Sequence, residues 1–156
     1  MTVHVIESAD DMVEVGRRLA TLVRPGDLLV LKGPLGSGKT TLTRGLGAGL
    51  DVRGAVTSPT FVIARVHPSN NDGPALVHVD AYRLERFEEV DNLDLDASLP
   101  DAVTVVEWGD GKVDTLAEDR LVIELSRDEA DDGVRLIRLV SVGARWQDVD
   151  LDHLFA

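Results

Sequence analysis

The stretch "GPLGSGKTT", Gly33 to Thr41, decides the fold of this chain. It follows the apolar run "LLVLK" (28–32), which is typical of a buried strand, and it opens a segment that we predict as a helix from about Lys39 to Leu50. Two glycines separated by four residues, then lysine and threonine, match the pattern G-x-x-x-x-G-K-[ST]. Because a strand precedes the loop and a helix follows it, the stretch predicts a phosphate-binding P-loop in an α/β fold.

Each position of this loop has a predicted role in holding a phosphate chain. The glycines let the backbone bring its N–H groups close to the phosphates, at the positive end of the following helix. Lys39 is expected to reach the outer phosphates, and the Thr40 hydroxyl is expected to bind Mg²⁺. A glycine-rich turn that binds nothing is the alternative, but the lysine and threonine argue against it. The predicted nucleotide-binding residues here are Leu35, Gly36, Ser37, Gly38, Lys39, Thr40 and Thr41.

A P-loop needs a second, acidic group for Mg²⁺ and water, at the carboxyl end of a neighbouring strand. Glu107 ends "AVTVVE" (102–107), whose unbroken apolar character suits a central strand, and it is our first choice as a metal ligand. Asp80 ends "ALVHVD" (75–80), and it is expected to orient water or hold a metal-bound water. Taken alone, either acid is explained equally well as a surface acid or a helix cap. Their positions after a P-loop favour function.

Two further features are weaker signals. The loop "TSPTF" (57–61) can place a hydroxyl near a terminal phosphate, as switch segments do, although a proline-containing loop without a ligand is the more common structure. Trp108 follows Glu107, and alternation along the strand points it to the opposite face, toward the core or a partner. The four histidines, at positions 4, 67, 78 and 153, lack metal-ligand spacing, so we expect them to pack or face solvent.

The remaining pattern predicts a mixed α/β domain. "VHVI" (3–6) is a short strand, and "SADDMVEVGRRLATLV" (8–23) is a helix that Ser8 can cap and that Arg24 to Gly26 end. "FVIARV" (61–66) and "ALVHVD" are strands joined by a loose turn cluster, and "AYRLERFEEVDNLDL" (81–95) is an irregular helix. "RLVIELS" and "VRLIRLVSV" form a terminal hairpin before a tail with a last helical turn or two. We predict a P-loop NTPase-like three-layer fold whose sheet is parallel at its centre and antiparallel at an edge.

Composition limits the possible functions. The 156 residues suit one domain, 1–156, and no apolar stretch approaches the roughly 20 residues of a membrane span. The net charge of −12 predicts that the chain does not bind nucleic acid or anionic membrane directly. The chain has no cysteine, and its N-terminus resembles no signal or transit peptide, so a cytoplasmic setting is expected.

The motifs "GPLGSGKTTLTRGL", "SPTF", "HVDAYRL" and "EW", in that order, resemble the TsaE family, the P-loop ATPase of bacterial tRNA threonylcarbamoyladenosine biosynthesis. The resemblance covers about Ser8 to Trp108. It implies that Lys39 and Thr40 hold phosphate and Mg²⁺ and that Glu107 is the second acid on the Mg²⁺ side. It also implies that Asp80 and Thr60 are catalytic or switch residues. Family members typically have "GDLGAGKT" where this chain has Pro34 and Ser37, a departure that changes mainly side chains, although Pro34 donates no N–H.

The resemblance also implies cofactors and partners. The cofactors are ATP and Mg²⁺, and the partners are the proteins TsaB and TsaD, which modify an adenosine of tRNA. The chain would hydrolyse ATP to reset or release that complex, and its link to tRNA would be indirect. The region around Ser8 would lie near the adenine. We expect Trp108, Tyr82 and Arg83 to contact the partners and the catalytic groups to be Asp80, Glu107, Thr60 and Lys39.

Other functions remain open at this stage. A small-molecule or nucleotide kinase would need a lid with several arginines, and Arg83 and Arg86 are the only clustered arginines between the two acidic strands. A GTPase would carry an N-K-x-D loop, and "SNND" has no lysine, so ATP is favoured over GTP. A nucleotide-binding regulator or scaffold without useful turnover is the alternative from a different class.

Overall fold

The computed structural model describes residues 3–34, 36–53, 64–80, 101–107, 119–128 and 130–155, with the backbone alone at 64, 80, 131 and 132. Seven strands and two α-helices are present in these ranges. Along the chain they are β1 (Val3–Ile6), α1 (Ala9–Leu19), β2 (Leu28–Lys32), α2 (Lys39–Leu50), β3 (Ala64–His67), β4 (Ala75–Asp80), β5 (Ala102–Glu107), β6 (Arg120–Asp128) and β7 (Asp131–Val142). Two short 3₁₀ helices follow, Ala144–Trp146 and Leu151–Phe155.

The strands form one mixed sheet in the order β1-β7-β6-β2-β5-β4-β3. The central strands β6, β2, β5 and β4 pair in parallel with one another. Strands β1 and β7 at one edge and β3 at the other pair antiparallel. The predicted parallel centre and antiparallel edge are confirmed, and the antiparallel pairing occurs at both edges. Because β2 lies between β6 and β5, the P-loop emerges from the middle of the sheet.

Both described α-helices pack on one face of the sheet. Their apolar side chains share one core with side chains of β2, β5 and β6. The core residues are Met12, Val15 and Leu19 of α1, Leu42 and Leu46 of α2, Leu29 and Leu31 of β2, Val103 and Val105 of β5, and Leu121 and Ile123 of β6. The two helices approach closely through glycines. A Cβ atom on Gly16 would lie 2.7 Å from the backbone nitrogen of Leu46, which only glycine avoids.

The residues of the opposite face are buried as well. Leu28 and Val30 of β2 and Val106 of β5 are at most 2% exposed. The predicted third layer stays a prediction, because the segment 81–95 that we expected to be helical lies outside the described residues.

The first helix is shorter than the sequence predicts. Ser8 caps α1 as expected, with its Oγ accepting from the Asp11 N–H at 3.1 Å, but the helix ends at Leu19 rather than near Val23. The backbone makes turn contacts here, with the Thr21 N–H donating to the Arg18 carbonyl at 3.0 Å and the Leu22 N–H donating to the Leu19 carbonyl at 2.9 Å. Thr21 Oγ1 donates to the Arg18 carbonyl at 2.6 Å, and Arg145 Nη2 donates to the Leu22 carbonyl at 2.7 Å. These contacts favour the turn over another helical turn.

The turn between β3 and β4, expected to be loose, is bonded to the C-terminal end of α2. Asp51, in the left-handed conformation with φ 56°, accepts the Asn70 N–H at its carbonyl at 2.9 Å and the Asn70 side chain at its carboxylate at 3.0 Å. The Arg53 N–H donates to the Pro68 carbonyl at 2.8 Å. The composition of the turn could not reveal these contacts with a distant segment.

The predicted terminal hairpin is confirmed, and its strands are longer than expected. Strand β6 continues to Asp128 and β7 begins at Asp131, so the predicted connection 127–133 is mostly strand. The cross-strand pair of Arg127 and Arg135 lies within the ladder. The predicted last helical turns of the tail correspond to the two 3₁₀ helices, and the shared core includes Trp146 and Leu154 from them.

Candidate nucleotide-binding site

The P-loop lies between the end of β2 and the start of α2, as the motif predicts. Gly36 and Gly38 have φ of 79° and 105°, a region that side chains rarely adopt. Lys39 is only 6% exposed, and its Nζ donates to the carbonyl of Gly33 and to that of Pro34, the latter at 3.4 Å. The ammonium group is therefore held across the loop by the loop's own first residues.

The other predicted loop residues lie at the start of α2 or just before it. The Ser37 side chain is 1% exposed, and its Oγ has no hydrogen-bond partner among the residues described. The Gly38 carbonyl accepts the first helical hydrogen bond, from the Leu42 N–H at 2.9 Å. Thr41 follows Thr40 in the first turn. The N–H groups of the first turn of a helix point toward its N-terminal end, so those of α2 are directed toward the loop, where an anion binds favourably.

Thr40 and Glu107 are in contact at the edge of the sheet from which the P-loop emerges, although 67 residues separate them in sequence. Thr40 Oγ1 donates to Glu107 Oε1 at 3.4 Å. Glu107 is the last residue of β5, which lies beside β2, and it is 4% exposed. The two residues that the sequence predicts as metal ligands are therefore in contact.

The Thr40–Glu107 pair has the chemistry of a Mg²⁺ site. A hydroxyl and a carboxylate are oxygen ligands of the kind that Mg²⁺ prefers, and two adjacent ligands of an octahedral ion with bonds of 2.0–2.1 Å lie about 2.9 Å apart. Thr40 Oγ1 and Glu107 Oε1 are 3.4 Å apart, so they would need to approach each other by about 0.5 Å to match that geometry. The described residues contain no cluster of three or more His, Cys, Asp or Glu that could hold a metal. In a nucleotide site, phosphate oxygens and water can supply further ligands.

His78, which the sequence analysis expected to be a packing or solvent-facing residue, lies in the site. Its ring is completely buried, and its Nε2 is 3.2 Å from Glu107 Oε1. The angle of this contact is not that of a hydrogen bond, and neither ring nitrogen has a hydrogen-bond partner among the described residues. The signal for this position was alternation in β4, because His78 lies two residues before Asp80 and so on the same face.

The backbone of Asp80 lies beside that of Glu107. The two residues are register partners at the carboxyl ends of the parallel strands β4 and β5. This placement agrees with the expectation that both acids lie at one edge of the sheet, the edge from which the P-loop also emerges. The side chain of Asp80 lies outside the described part of the chain.

Ser8 lies at the same edge, on the opposite side of the P-loop from Glu107. Strand β1 pairs antiparallel with β7, and β7 pairs antiparallel with β6, so β1 runs in the same direction as β6. Because β6 is parallel to β2, β1 also runs in the direction of β2. The N-terminus of α1 is close to the loop, since a Cβ on Gly38 would lie 3.0 Å from Met12 Cε. The hydroxyl of Ser8 caps α1, and its predicted place near an adenine is compatible with this position.

Two arginines of the hairpin, Arg127 and Arg135, contact the P-loop. The sequence analysis did not predict a site role for Arg127. Arg127 Nε donates to the Gly36 carbonyl at 3.3 Å, and Arg135 Nε donates to the same oxygen at 3.1 Å. Both contacts join segments more than 90 residues apart, so local sequence patterns could not identify them.

Several predicted site residues lie outside the described residues. They are Leu35, Thr60, Tyr82, Arg83 and Trp108. Their roles stay predictions.

Comparison with known proteins identifies the family. The model of the family described as "Threonylcarbamoyl adenosine biosynthesis protein TsaE" matches residues 6–137. The chain belongs to the TsaE family. A tRNA threonylcarbamoyladenosine biosynthesis protein TsaE from Streptomyces coelicolor is 62% identical over 146 residues, which cover 92% of this chain and 99% of the relative. The protein of the same name from Bacillus subtilis is 38% identical over 135 residues, which cover 85% of this chain and 81% of the relative.

A solved structure extends the comparison to the fold. The crystal structure of Bacillus subtilis YdiB superimposes with a TM-score of 0.72 at 29% sequence identity, over 94% of this chain and 88% of that chain. The fold of this TsaE family member is P-loop NTPase-like, as predicted. Family membership also connects the chain with tRNA threonylcarbamoyladenosine biosynthesis. Among the described residues, no helix is long and apolar enough to cross a membrane.

Proposed function

We propose that this chain is a Mg²⁺-dependent ATP hydrolase that serves as an accessory subunit of the tRNA threonylcarbamoyladenosine modification complex. The observation that carries the proposal is the contact of Thr40 Oγ1 with Glu107 Oε1 at 3.4 Å. A P-loop alone indicates phosphate binding. A P-loop threonine that faces a buried acid at the end of the adjacent parallel strand is the arrangement that holds Mg²⁺ on the outer phosphates in P-loop enzymes.

In this proposal, different residues bind the phosphate chain and support its hydrolysis. Lys39 and the N–H groups at the start of α2 bind the phosphate chain, and the loop carbonyls that hold Lys39 keep its ammonium group in place. A Mg²⁺ ion held by Thr40 and Glu107 would neutralise charge on the outer phosphates. Thr40 donates a hydrogen bond to the Glu107 carboxylate, and the buried ring of His78 packs beside it and limits the positions that it can take. Asp80 is proposed to orient the attacking water.

ATP is proposed as the nucleotide, and TsaB and TsaD are proposed as the partners that gate its turnover. The sequence has no guanine-selective N-K-x-D loop. Docked partners are proposed to position the groups of Thr60, Tyr82 and Arg83 around the terminal phosphate and to contact Trp108, because positioning of catalytic groups accounts for several kcal/mol of a barrier. If docking favours the ATP-bound state, ATP strengthens docking by the same factor as docking strengthens ATP binding.

The test separates binding from turnover. Mg²⁺-dependent phosphate release is measured for the wild type, Lys39→Ala, Glu107→Gln and Asp80→Asn, each with and without the TsaB and TsaD proteins, and nucleotide affinity is measured by calorimetry. We expect Lys39→Ala to lose tight ATP binding, because it removes the side-chain cation of the loop. We expect Glu107→Gln to bind ATP but to lose turnover. Arg53→Ala, at an exposed position beyond the far end of α2, is the control.

Two results would contradict the proposal. Unchanged ATP affinity in Lys39→Ala would show that the loop holds another ligand. Equal affinity for the partner pair with ATP, with ADP and without nucleotide, together with no increase in the rate of phosphate release, would exclude partner gating. The regulator or scaffold without useful turnover would then be the better explanation.

A further inference from the structure

Strand β1 lies at the edge of the sheet, where it pairs with β7 alone among the described strands. In an antiparallel ladder every second residue directs its N–H and C=O groups to the neighbouring strand, so the other residues of β1 direct theirs outward. Such an edge pairs with another chain unless a charge or a proline blocks it. The residues of β1, "VHVI" (3–6), include no lysine, arginine, acid or proline. The opposite edge strand, β3, has Arg65 as its second residue.

The face of β1 that points away from the two helices carries exposed apolar side chains. Ile6 belongs to the core that the helices share, so alternation places Val3 and Val5 on the opposite face. These two valines are 54% and 58% exposed. Leu136 of β7 is the register partner of Val5 and is half-buried. Val3 and Leu136 line an open cavity of about 400 Å³, which offers room for further apolar side chains beside β1.

Two of the charged side chains that line this cavity are paired with each other. Arg138 Nε donates to Glu124 Oε2 at 2.6 Å, and the two residues are register partners on β7 and β6. Because this pair is neutral as a whole, the surface next to β1 is recognised mainly through its apolar side chains.

The other face of β1 opens into an acidic cavity. This cavity has a volume of about 370 Å³ and lies between β1, α1 and the last 3₁₀ helix. The ring of Phe155 stacks on that of His4, with centroids 3.7 Å apart, and forms an apolar wall. Glu7 and Asp11 line the cavity, both exposed, and neither carboxylate has an ion-pair partner among the described residues. Glu14, the third acid, is already paired within α1.

We infer that β1 is the docking strand for an extended segment of a partner protein in which apolar and basic residues alternate. The segment adds a strand to the sheet, and hydrogen bonds between the two backbones hold it. Side chains of a strand point alternately to its two faces. Every second residue of the segment therefore lies beside Val3 and Val5, where an apolar side chain fits. The residues between them face the cavity of Glu7 and Asp11, where a lysine or arginine fits.

Charge favours a different protein over a second copy of this chain as the occupant. Pairing of β1 with the β1 of another copy would bring no lysine or arginine of that strand to Glu7 and Asp11. The net charge of −12 on each copy would add repulsion. A basic segment is attracted by the same charges. The inference concerns the edge of the sheet rather than a bound nucleotide, so it goes beyond the proposed function.

The experiment uses a synthetic peptide of eight residues with blocked ends, in which valine and lysine alternate. Calorimetry measures its affinity for the full chain. Two comparison peptides have the same valines and lysines in separate blocks, or glutamate in place of lysine. Amide hydrogen exchange, followed by NMR, reports whether the N–H groups of Val3–Ile6 become protected when the peptide binds.

Protein variants test the two faces of the strand separately. Val5→Lys places a charge on the apolar face, and its matched control is Val66→Lys, because Val66 is 59% exposed on the opposite edge strand β3. The double variant Glu7→Gln and Asp11→Asn removes the acids, and Asp72→Asn, in the exposed turn between β3 and β4, is its control. Thermal unfolding checks that each variant is folded, and sedimentation measures the oligomeric state.

The expected result is specific for β1. Val5→Lys weakens binding of the alternating peptide at least about tenfold, and the double acid variant weakens it at least about threefold. Both controls stay within about twofold. The two comparison peptides bind at least about tenfold more weakly, and the outward N–H groups of β1 are protected by the alternating peptide alone.

Several results would overturn the inference. They are a wild type that does not bind the alternating peptide, equal affinity for the alternating and the block peptide, no protection of the β1 N–H groups, or a loss in Val66→Lys as large as that in Val5→Lys. A wild-type dimer that Val5→Lys dissociates would assign the edge to a second copy of the chain and would also overturn it.

Discussion

Arg145 and Asp27 form a buried ion pair that ties the C-terminal segment to the start of β2. Arg145 Nε and Nη2 donate to Asp27 Oδ1 and Oδ2, each at 2.9 Å, in a bidentate pair. Nη2 also donates to the Leu22 carbonyl at 2.7 Å, and the guanidinium group lies 4.3 Å from the centre of the Trp146 ring. The side chains are 13% and 6% exposed. We predict that Arg145→Ala strongly destabilises the fold.

The magnitude follows from the charge that the substitution leaves behind. The Asp27 carboxylate would keep its hydrogen bond from the Arg24 N–H at 2.7 Å but would lose both contacts to the guanidinium group while staying buried. Breaking a buried ion pair in this way costs about 3–5 kcal/mol. At about 2–4 °C of melting temperature per kcal/mol for a chain of this size, the expected decrease is roughly 6–20 °C.

Urea unfolding monitored by circular dichroism measures the effect, with thermal melting as a second reading. Asp27→Asn in the Arg145→Ala background removes the unpaired buried charge of Asp27, so the double variant should recover part of the lost free energy of unfolding. Arg53→Ala, which removes an exposed arginine, should change the free energy of unfolding by less than about 0.5 kcal/mol. A loss below about 1 kcal/mol in Arg145→Ala would refute the reasoning, as would a double variant less stable than the single one.

Two further predictions concern the helix contact and the site. Gly45→Val should destabilise the fold by more than about 2 kcal/mol in urea unfolding, because a Cβ there would lie 2.8 Å from the Val13 carbonyl carbon; wild-type stability would show that α1 can move away. His78→Leu should keep ATP affinity within about twofold but slow turnover at least about tenfold, because Glu107 loses the buried ring that packs beside its carboxylate and limits its positions. Separate measurements of the dissociation constant and of kcat distinguish this positioning effect from a loss of folding, which would lower both.

The sequence was sufficient for features whose signals are local. Apolar runs identified the central strands, as at Leu28–Lys32 and Ala102–Glu107, because a strand buried on both faces has no polar alternation. The P-loop needs glycines at fixed spacing from Lys39, so a nine-residue window contains most of its geometry. The cap of α1 by Ser8 was predictable for the same reason, since the donor is three residues away.

Features that depend on strand order and register could not be predicted from the local sequence. The contacts of Arg127 and Arg135 with Gly36 span 91 and 99 residues, and they exist because β6 pairs with β2 and because the hairpin extends past its predicted ends. Nothing in the composition of "RDEADDG" indicates which neighbouring strand its arginine faces. His78 was missed because alternation in β4 places it on the face of Asp80 but does not show that β4 pairs with β5, the pairing that brings its ring to Glu107.

Strand order also supports different roles for the two acids, which the sequence left open. Neighbouring strands lie about 4.8 Å apart, so β5 is one spacing from the P-loop strand and β4 is two, or about 9.6 Å. Glu107 accordingly reaches Thr40 at 3.4 Å and is placed to share a metal ion with it. An acid one strand further away reaches the same ion through a water molecule more easily than directly. Asp80 is therefore better suited to orient water, and Glu107 to bind Mg²⁺, in the hydrolysis that we propose.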